Sequence, residues 1–427
     1  MFFRRGRLRA KPARSFLIEL FDRRYQWLLR MPIARLLAQG DATRFLCSLR
    51  FLVDHLGQGV YLLNHQRPPQ QRPWFGDDLE ATVANLPLCP TDLVERLKLV
   101  MRLDDPTVAE VEARRLLLDV IDLTPKEKKD RDAQEQPVVS WLPQIAALEP
   151  YAPGDDQGWL PGERMDLMPL ARRAVRIVWR LPGSRLAALS GSVAAGNADL
   201  TSAIDISLFG LKLPDAKVRR SLIAATSDAP HDITQTSRQT YASDIFWLDG
   251  RSSAQDPRLI YVRYFLIEEA RRLIEHPAPQ SQADEELLAH LSTADVLVDY
   301  ELRGPDLLDD LQRATRQAQP ERMARASGWL NQALTRLQDS RDGSTILYDT
   351  VSAILALFQL LAARNDRWIA IPKWTAAWLD GLEHAPADTY QRLNAVALLP
   401  FRLENVPARV KALRALADEI NVSRSWP

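Results

Sequence analysis

The segment Leu189-Ser-Gly-Ser-Val-Ala-Ala-Gly-Asn-Ala-Asp-Leu-Thr-Ser-Ala-Ile-Asp-Ile-Ser207 contains the clearest structural signal in this chain. It places a Gly-Ser turn between two apolar runs, Leu186 to Leu189 and Ile204 to Leu208, each of a length typical of a buried strand. An amphipathic segment from Met165 to Arg180 comes before the first run and has helical spacing. The pattern therefore predicts a helix and then two strands joined by a turn.

The same segment resembles the signature of the polymerase-beta-like nucleotidyltransferase superfamily. That signature consists of a Gly-Ser turn, a second glycine four to five residues later, and then Ser-Asp-x-Asp on a strand. The matching positions in this chain are Gly191, Ser192, Gly196, Ser202, Ala203 and Asp205. The resemblance implies that Gly191, Ser192, Gly196 and Ser202 contact a nucleotide, whose phosphates lie at a helix N-terminus.

The acidic positions of the signature are mostly lost in this chain. Two carboxylates at positions i and i+2 of a strand point to the same face, about 6 to 7 Å apart, and hold metal ions between them. Here the first position is Ala203, and only Asp205 is acidic. If Asp205 is instead aligned with the first position, the second becomes Ser207, so one carboxylate is still missing.

A third acid in the family comes from a neighbouring strand, for which the best match is Leu259 to Phe265, followed by a helix from Ile267 to Ile274. The acidic position then corresponds to Tyr261, and Arg263 is the next residue on the same face. We therefore expect poor Mg²⁺ binding. Possible substitute acids lie nearby, namely Asp244, Asp249 and Asp256.

This pattern predicts a catalytically degenerate nucleotidyltransferase-like protein that binds a nucleotide, another small-molecule ligand or a partner protein. Asp205 is the residual catalytic and metal position, and the favoured expectation is that no cofactor is needed. The alternative is an active enzyme that uses Mg²⁺ and a nucleoside triphosphate to transfer a nucleoside monophosphate to a hydroxyl of a small molecule or protein. Restoring acids by Ala203→Asp and Tyr261→Asp is expected to raise Mg²⁺ affinity.

A second alternative is RNA cleavage, because the spacing Arg-x4-His occurs twice, at Arg50 to His55 and at Arg271 to His276. This spacing resembles the short motif of the helical HEPN ribonucleases. An arginine that holds phosphate and a histidine that transfers protons suit that chemistry. The favoured interpretation is that these residues have no catalytic role and belong to ordinary helix surfaces.

Composition sets outer limits on function. The chain has 427 residues, of which 46% are hydrophobic, and 55 basic residues balance 55 acidic ones, so no overall charge attracts nucleic acid or membrane. The exception is a basic N-terminal arm, interpreted as a solvated tail, with contact to phosphate as the alternative. We predict no membrane span, and Cys47 and Cys89 as buried thiols favour a reducing, cytoplasmic location. The basic residues of the arm are Arg4, Arg5, Arg7, Arg9, Lys11 and Arg14.

The predicted fold class is α+β, with a small mixed-sheet nucleotidyltransferase-like domain between N- and C-terminal helical bundles. Predicted boundaries are a helical domain at 1–123, a linker at 124–161, the mixed-sheet domain at 162–280 and a helical bundle at 281–427. Amphipathic runs at Thr345 to Leu361 and Pro407 to Ile420 support the C-terminal bundle.

The N-terminal third also matches the C-terminal third at an offset of 300 residues, with a gap of four further on, which suggests related helical units. Chance similarity is the alternative. The matched pairs are Gly59 to Arg67 with Gln359 to Arg367, Trp74 with Trp374, and Pro90 to Leu97 with Pro386 to Leu393.

Overall fold

The computed structural model describes most of the chain, and all structural statements below concern its described residues. These are residues 40–64, 86–100, 106–123, 166–194, 203–226, 234–237, 241–248, 258–276, 287–288, 294–299, 304–367, 379 and 382–422. The basic N-terminal arm, the predicted linker, and Trp74 and Trp374 lie outside them. The predicted domain boundaries fall in or beside undescribed segments and stay predictions.

Helices and strands alternate only in the middle of the chain. The strands are β1 (Ser184–Ser190), β2 (Ile204–Gly210), β3 (Thr234–Ser237), β4 (Tyr241–Leu248), β5 (Arg258–Leu266) and β6 (Asp295–Asp299). The helices are α1 (Ala42–Leu63), α2 (Leu93–Val100), α3 (Pro106–Asp122), α4 (Met168–Val178), α5 (Gly191–Ala194), α6 (Ala216–Thr226), α7 (Ile267–Glu275), α8 (Gly304–Gln317), α9 (Gln319–Asp339), α10 (Gly343–Arg364), α11 (Thr389–Leu398) and α12 (Val406–Val422). A short 3-10 helix spans Leu403–Asn405.

The six described strands form one sheet in the order β3-β4-β5-β2-β1-β6. Strand β2 runs parallel to β5, and the other neighbouring pairs are antiparallel, so the sheet is mixed. The prediction of an α+β chain, with a mixed sheet and with helices before and after it along the chain, is confirmed.

One strand lies where the sequence predicted helices. Strand β6 falls inside the region 281–427, which was predicted to be a helical bundle, and pairs with β1 at the edge of the sheet. Its sequence, Asp-Val-Leu-Val-Asp, is short and apolar in the middle, and such a run is compatible with either structure.

Alternation along the central strands divides the sheet into two faces. Ile204, Ile206 and Leu208 of β2 point to one face, where they are buried beneath α4 and α6 in one apolar cluster. Helix α4 is strongly amphipathic, and its buried side chains belong to the same cluster. This face is therefore an ordinary helix-on-sheet core.

The opposite face changes character along its length. At one end, Leu186, Phe209 and Phe265 are buried in a second apolar cluster with side chains of α7 and α8. The Phe209 and Phe265 rings stack with centroids 5.6 Å apart. At the other end the same face presents polar side chains, which form the candidate site described below.

The N- and C-terminal helices share one hydrophobic core. Buried residues of α1, α2 and α3 belong to the same cluster as those of α9 to α12. The Thr43 backbone N–H and hydroxyl both donate to Asn394 Oδ1, at 2.9 and 2.7 Å, which joins α1 to α11. The two predicted bundles therefore pack against each other.

Helix α10 is the most apolar element of this core. By length and composition alone it is apolar enough to cross a membrane. However, 83% of its most apolar window is buried inside the protein, and it packs between α9, α12 and α1. An all-round apolar helix is what the centre of a helical core requires.

The matched helices end in the same way. Helices α1 and α10 both have 22 residues and are followed by Asn64 and Asn365. Each asparagine side chain donates to the carbonyl four residues earlier and accepts from a backbone N–H, that of Leu88 before α2 or of His384 before α11. All four distances are 2.8 Å. The offset between these asparagines is 301 rather than the predicted 300.

The helices that follow also begin alike. Asp92 precedes α2 and Asp388 precedes α11, and both have left-handed backbones, with φ of 54° and 55°. Four residues later, Arg96 pairs with Asp119 of α3 at 2.6 Å, and Arg392 pairs with Glu419 of α12 at 2.7 Å. Left-handed non-glycine residues are uncommon, so their coincidence at matched positions supports related units.

We predict a loss of stability at alkaline pH. Burial raises the pKa of the Tyr264 and Tyr348 phenols above the ordinary value of about 10. Because the folded-state pKa is the higher one, the unfolded chain releases these protons first, and stability is lost as pH rises above about 10. Each phenol contributes up to about 1.4 kcal/mol per pH unit.

Urea titrations between about pH 9 and 12 measure this loss. Tyr264→Phe removes one of the two phenols, so its unfolding free energy should fall less steeply with pH than that of the parent. Equal slopes in the two proteins would contradict this assignment.

Candidate functional site

The structure places three of the predicted signature residues, Gly191, Ala203 and Asp205, at the end of β1 and the beginning of β2. Gly191 starts the single-turn helix α5 directly after β1, Ala203 directly precedes β2, and Asp205 is the second residue of β2. The side chain of Ser192 and the whole of Gly196 and Ser202 lie outside the described residues, so their predicted nucleotide contacts stay predictions.

Six polar residues cover this end of the sheet face, and we call them the polar band. In the first row Asp205 pairs with Ser190 on one side and with Tyr261 on the other. In the second row Arg263 lies between Ser207 and Ser243. Ser190, Ser207, Ser243 and Arg263 are buried, which is unusual for a set of polar side chains on one sheet face. The members are Ser190, Asp205, Ser207, Ser243, Tyr261 and Arg263.

The centre of the polar band is an ion pair between Asp205 and Arg263. Arg263 Nη1 lies 2.8 Å from Asp205 Oδ1, and the two side chains are 10% and 21% exposed. The guanidinium carbon lies 3.7 Å from the centre of the Tyr261 ring, within cation–π range. The aromatic ring therefore supports the guanidinium while Asp205 neutralises it.

Gly191 closes the other side of the carboxylate. Its φ is 69°, in the left-handed region, and a β-carbon at this position would lie only 2.7 Å from Asp205 Oδ2. Two features therefore require glycine at this position, namely the left-handed backbone turn and the close approach of the Asp205 carboxylate. One oxygen of Asp205 faces Arg263, and the other lies against the Gly191 backbone.

A divalent metal does not fit this arrangement. Mg²⁺ needs oxygen ligands in near-octahedral order, usually including one or two carboxylates. Asp205 already has a cation at hydrogen-bond distance, and its neighbours in the band are a phenol, hydroxyls and a guanidinium. Within the described ranges, no group of three or more His, Cys, Asp or Glu side chains is placed to hold a metal.

Two hydroxyls of the polar band are buried and have no hydrogen-bond partner. Ser207 and Ser243 are both 0% exposed, and neither Oγ atom has a hydrogen-bond partner among the residues that the structure describes. They flank Arg263 in register, one on each neighbouring strand. An unsatisfied buried hydroxyl costs about 1–3 kcal/mol, so two beside one arginine call for a physical explanation.

Asp244 is not a substitute metal ligand. It lies on the opposite face of the sheet, 0% exposed, where Arg219 Nε of α6 is 3.0 Å from Oδ2 and Tyr264 donates to the same oxygen at 2.7 Å. Alternation along β4 explains the difference, because Ser243 and Asp244 point to opposite faces. The other two predicted substitutes, Asp249 and Asp256, lie outside the described residues.

The first of the two Arg-x4-His sequences belongs to the packing between α1 and α10. Arg50 pairs with Asp54 at 2.8 Å, donates to Tyr348 O and Ser352 Oγ, and lies over the Tyr348 ring. The His55 side chain is outside the described set. Arg50 is thus engaged in a structural network.

In the second Arg-x4-His sequence, Arg271 in the middle of α7 and His276 directly after it are both exposed, as expected for a helix surface. The two cysteines, predicted to be buried thiols, are both free. Cys47 is buried and Cys89 is half-buried, so the predicted burial is complete only for Cys47.

Comparison with known proteins finds distant likenesses among solved structures. No protein-family model and no curated protein matches the chain. Among solved structures, the chain is similar to a nucleotidyltransferase-like protein from Exiguobacterium sibiricum 255-15. The sequence identity is 11%, the match covers 59% of this chain and 74% of the other, and the TM-score is 0.30. A likeness at this identity and TM-score assigns neither a ligand nor an activity.

Proposed function

We propose that this chain is a nucleotidyltransferase-like protein that has lost metal-dependent transfer and acts by binding. The observation that supports this is the 2.8 Å ion pair between Asp205 and Arg263. The guanidinium occupies the side of the carboxylate to which a metal would have to bind. The function is therefore metal-independent binding at the polar band.

Electrostatics explain why the pair excludes metal. Two like unit charges about 4 Å apart repel by about 4 kcal/mol at an effective dielectric constant of about 20, and a divalent ion doubles this. Asp205 alone cannot offset the repulsion, because its charge is already neutralised by Arg263. Phosphoryl transfer by the two-metal route needs several carboxylates that are not engaged with a protein cation.

The binding proposal keeps the predicted ligand classes. A nucleotide would contact Gly191 and Ser192 with Gly196 and Ser202, and no Mg²⁺ would be required. Recognition of a partner protein through the same surface is the other form of this binding function. A cytoplasmic location is part of the proposal.

Calorimetric titration of the purified protein tests the proposal. ATP, GTP, CTP and UTP are each titrated with and without Mg²⁺, and Mn²⁺ is titrated alone. We expect no Mn²⁺ binding at the site and nucleotide affinities that do not depend on Mg²⁺. Nucleotide binding that requires Mg²⁺ and is lost in Asp205→Asn, but not in the exposed control Asp309→Asn on α8, would instead establish an active metal enzyme.

A further inference from the structure

We propose that Arg263 is the residue that binds the ligand, that the ligand offers a phosphoryl oxyanion, and that Asp205 is its internal competitor. This inference rests on the proposed metal-independent function and deepens it. Binding is an exchange in which a phosphoryl oxygen takes the position at Arg263 that the Asp205 carboxylate holds in the free protein.

Two hydroxyls beside Arg263 lack partners in the described part of the chain. Ser207 and Ser243 lie on the strands at either side of Arg263, are fully buried and have no hydrogen-bond partner among the described residues. Native proteins rarely leave buried hydroxyls without partners unless the site serves another purpose. Hydroxyl donors beside a guanidinium form a set that suits an oxyanion.

The Asp205 carboxylate occupies a position that a ligand can reach. Its side chain is 21% exposed, whereas that of Arg263 is 10% exposed, so the carboxylate lies on the solvent side of the pair. Beyond it lies Gly191, where only a hydrogen atom separates the backbone from Oδ2. An oxyanion in place of this carboxylate would contact Arg263 and the backbone at the start of α5.

Arginine is the residue best suited to this exchange. Its planar guanidinium matches the geometry of carboxylate and of phosphate, and aromatic stacking restricts the plane in which it lies. The Tyr261 ring, 3.7 Å from the guanidinium carbon, provides that restriction. A phosphoryl group carries more charge and more acceptor oxygens than the Asp205 carboxylate, so it can replace it at Arg263.

The test compares four proteins in EDTA at low salt, by calorimetry with sodium tripolyphosphate, ATP and adenosine. They are the parent, Asp205→Asn, Arg263→Met and the control Arg220→Met, an exposed arginine of α6, which packs on the opposite face. We expect Asp205→Asn to bind tripolyphosphate about tenfold more tightly than the parent, because the competing charge is gone. Arg263→Met should lose binding, and Arg220→Met should match the parent.

Each outcome decides the inference. Oxyanion binding in EDTA that Asp205→Asn weakens or leaves unchanged would overturn it while leaving metal-independent binding in place. Binding only with Mg²⁺ would overturn both, and no oxyanion binding to the parent or to Asp205→Asn would overturn the inference alone. Tight binding of ATP but not of tripolyphosphate identifies a nucleotide, and equal binding identifies the phosphate chain.

Thermal melts show whether each variant is folded. If Arg263→Met does not fold, Arg263→Lys replaces it. Lysine keeps the charge and loses the planar fork, so its oxyanion affinity should fall below that of the parent. An affinity equal to that of the parent would contradict the role of the guanidinium.

Discussion

Replacement of Asp244 by alanine is expected to lower the free energy of unfolding by about 3–5 kcal/mol, since it leaves a buried arginine without its counter-charge. Arg219 is 1% exposed and lies between the sheet and α6, with Nε 3.0 Å from Asp244 Oδ2. The Tyr264 hydroxyl, also buried, donates to the same carboxylate oxygen at 2.7 Å. Alanine removes the carboxylate that both side chains share.

Urea denaturation of the parent and of Asp244→Ala measures the difference. The double variant Asp244→Leu with Arg219→Met should be more stable than Asp244→Ala, because no buried charge remains. Asp309→Ala, on the exposed surface of α8, controls for the loss of a carboxylate. A loss below about 1 kcal/mol in Asp244→Ala would show that Arg219 finds another partner or solvent.

A metal site is expected to appear only when Ala203 and two residues of the polar band are changed together. The triple variant Ala203→Asp, Tyr261→Asp and Arg263→Ser supplies two carboxylates and removes the cation from Asp205. Tyr261 is paired in register with Asp205 on the adjacent parallel strand, so the new carboxylate lies beside the existing one. We expect Mn²⁺ affinity to rise by at least about 100-fold over the parent, which corresponds to about 2.7 kcal/mol.

The double variant Ala203→Asp and Tyr261→Asp is the matched control. The sequence alone predicted that these two changes would raise metal affinity, and with the structure we expect that they are not enough. Arg263 remains in it and still neutralises Asp205. Titration of Mn²⁺ followed by electron paramagnetic resonance compares the three proteins. If the double variant binds as tightly as the triple variant, Arg263 does not block the metal, and the basis of the proposed function is wrong.

Sequence patterns predicted the central elements well, because each of them depends on local periodicity. The run from Leu259 to Phe265 is β5 within one residue at each end, and the amphipathic runs at 345–361 and 407–420 lie inside α10 and α12. The sequence also placed Arg263 on the same face as Tyr261, and the structure confirms this through their contact.

Features that depend on pairing could not be predicted in this way. The place of Ser243 beside Arg263 follows from the alignment of β4 on β5, and no local pattern contains that register. Asp244 has a carboxylate, as a metal ligand would, but side chains alternate along β4, so Asp244 points to the opposite face of the sheet. The apolar residues of α1 and α10 show that both helices are buried, but they do not identify the helix against which each one packs.

The shared core of the first and last helices governs the order in which the chain can fold during synthesis. Thr43 of α1 bonds to Asn394, which is made 351 residues later. At about 5–20 residues per second, a ribosome takes roughly 20 to 70 s to add that length. The part of α1 that packs on α10 and α11 stays without these neighbours during this interval, although α2 and α3 are already made. The helical core is therefore complete only near the end of translation, and nascent chains should need protection from aggregation until then.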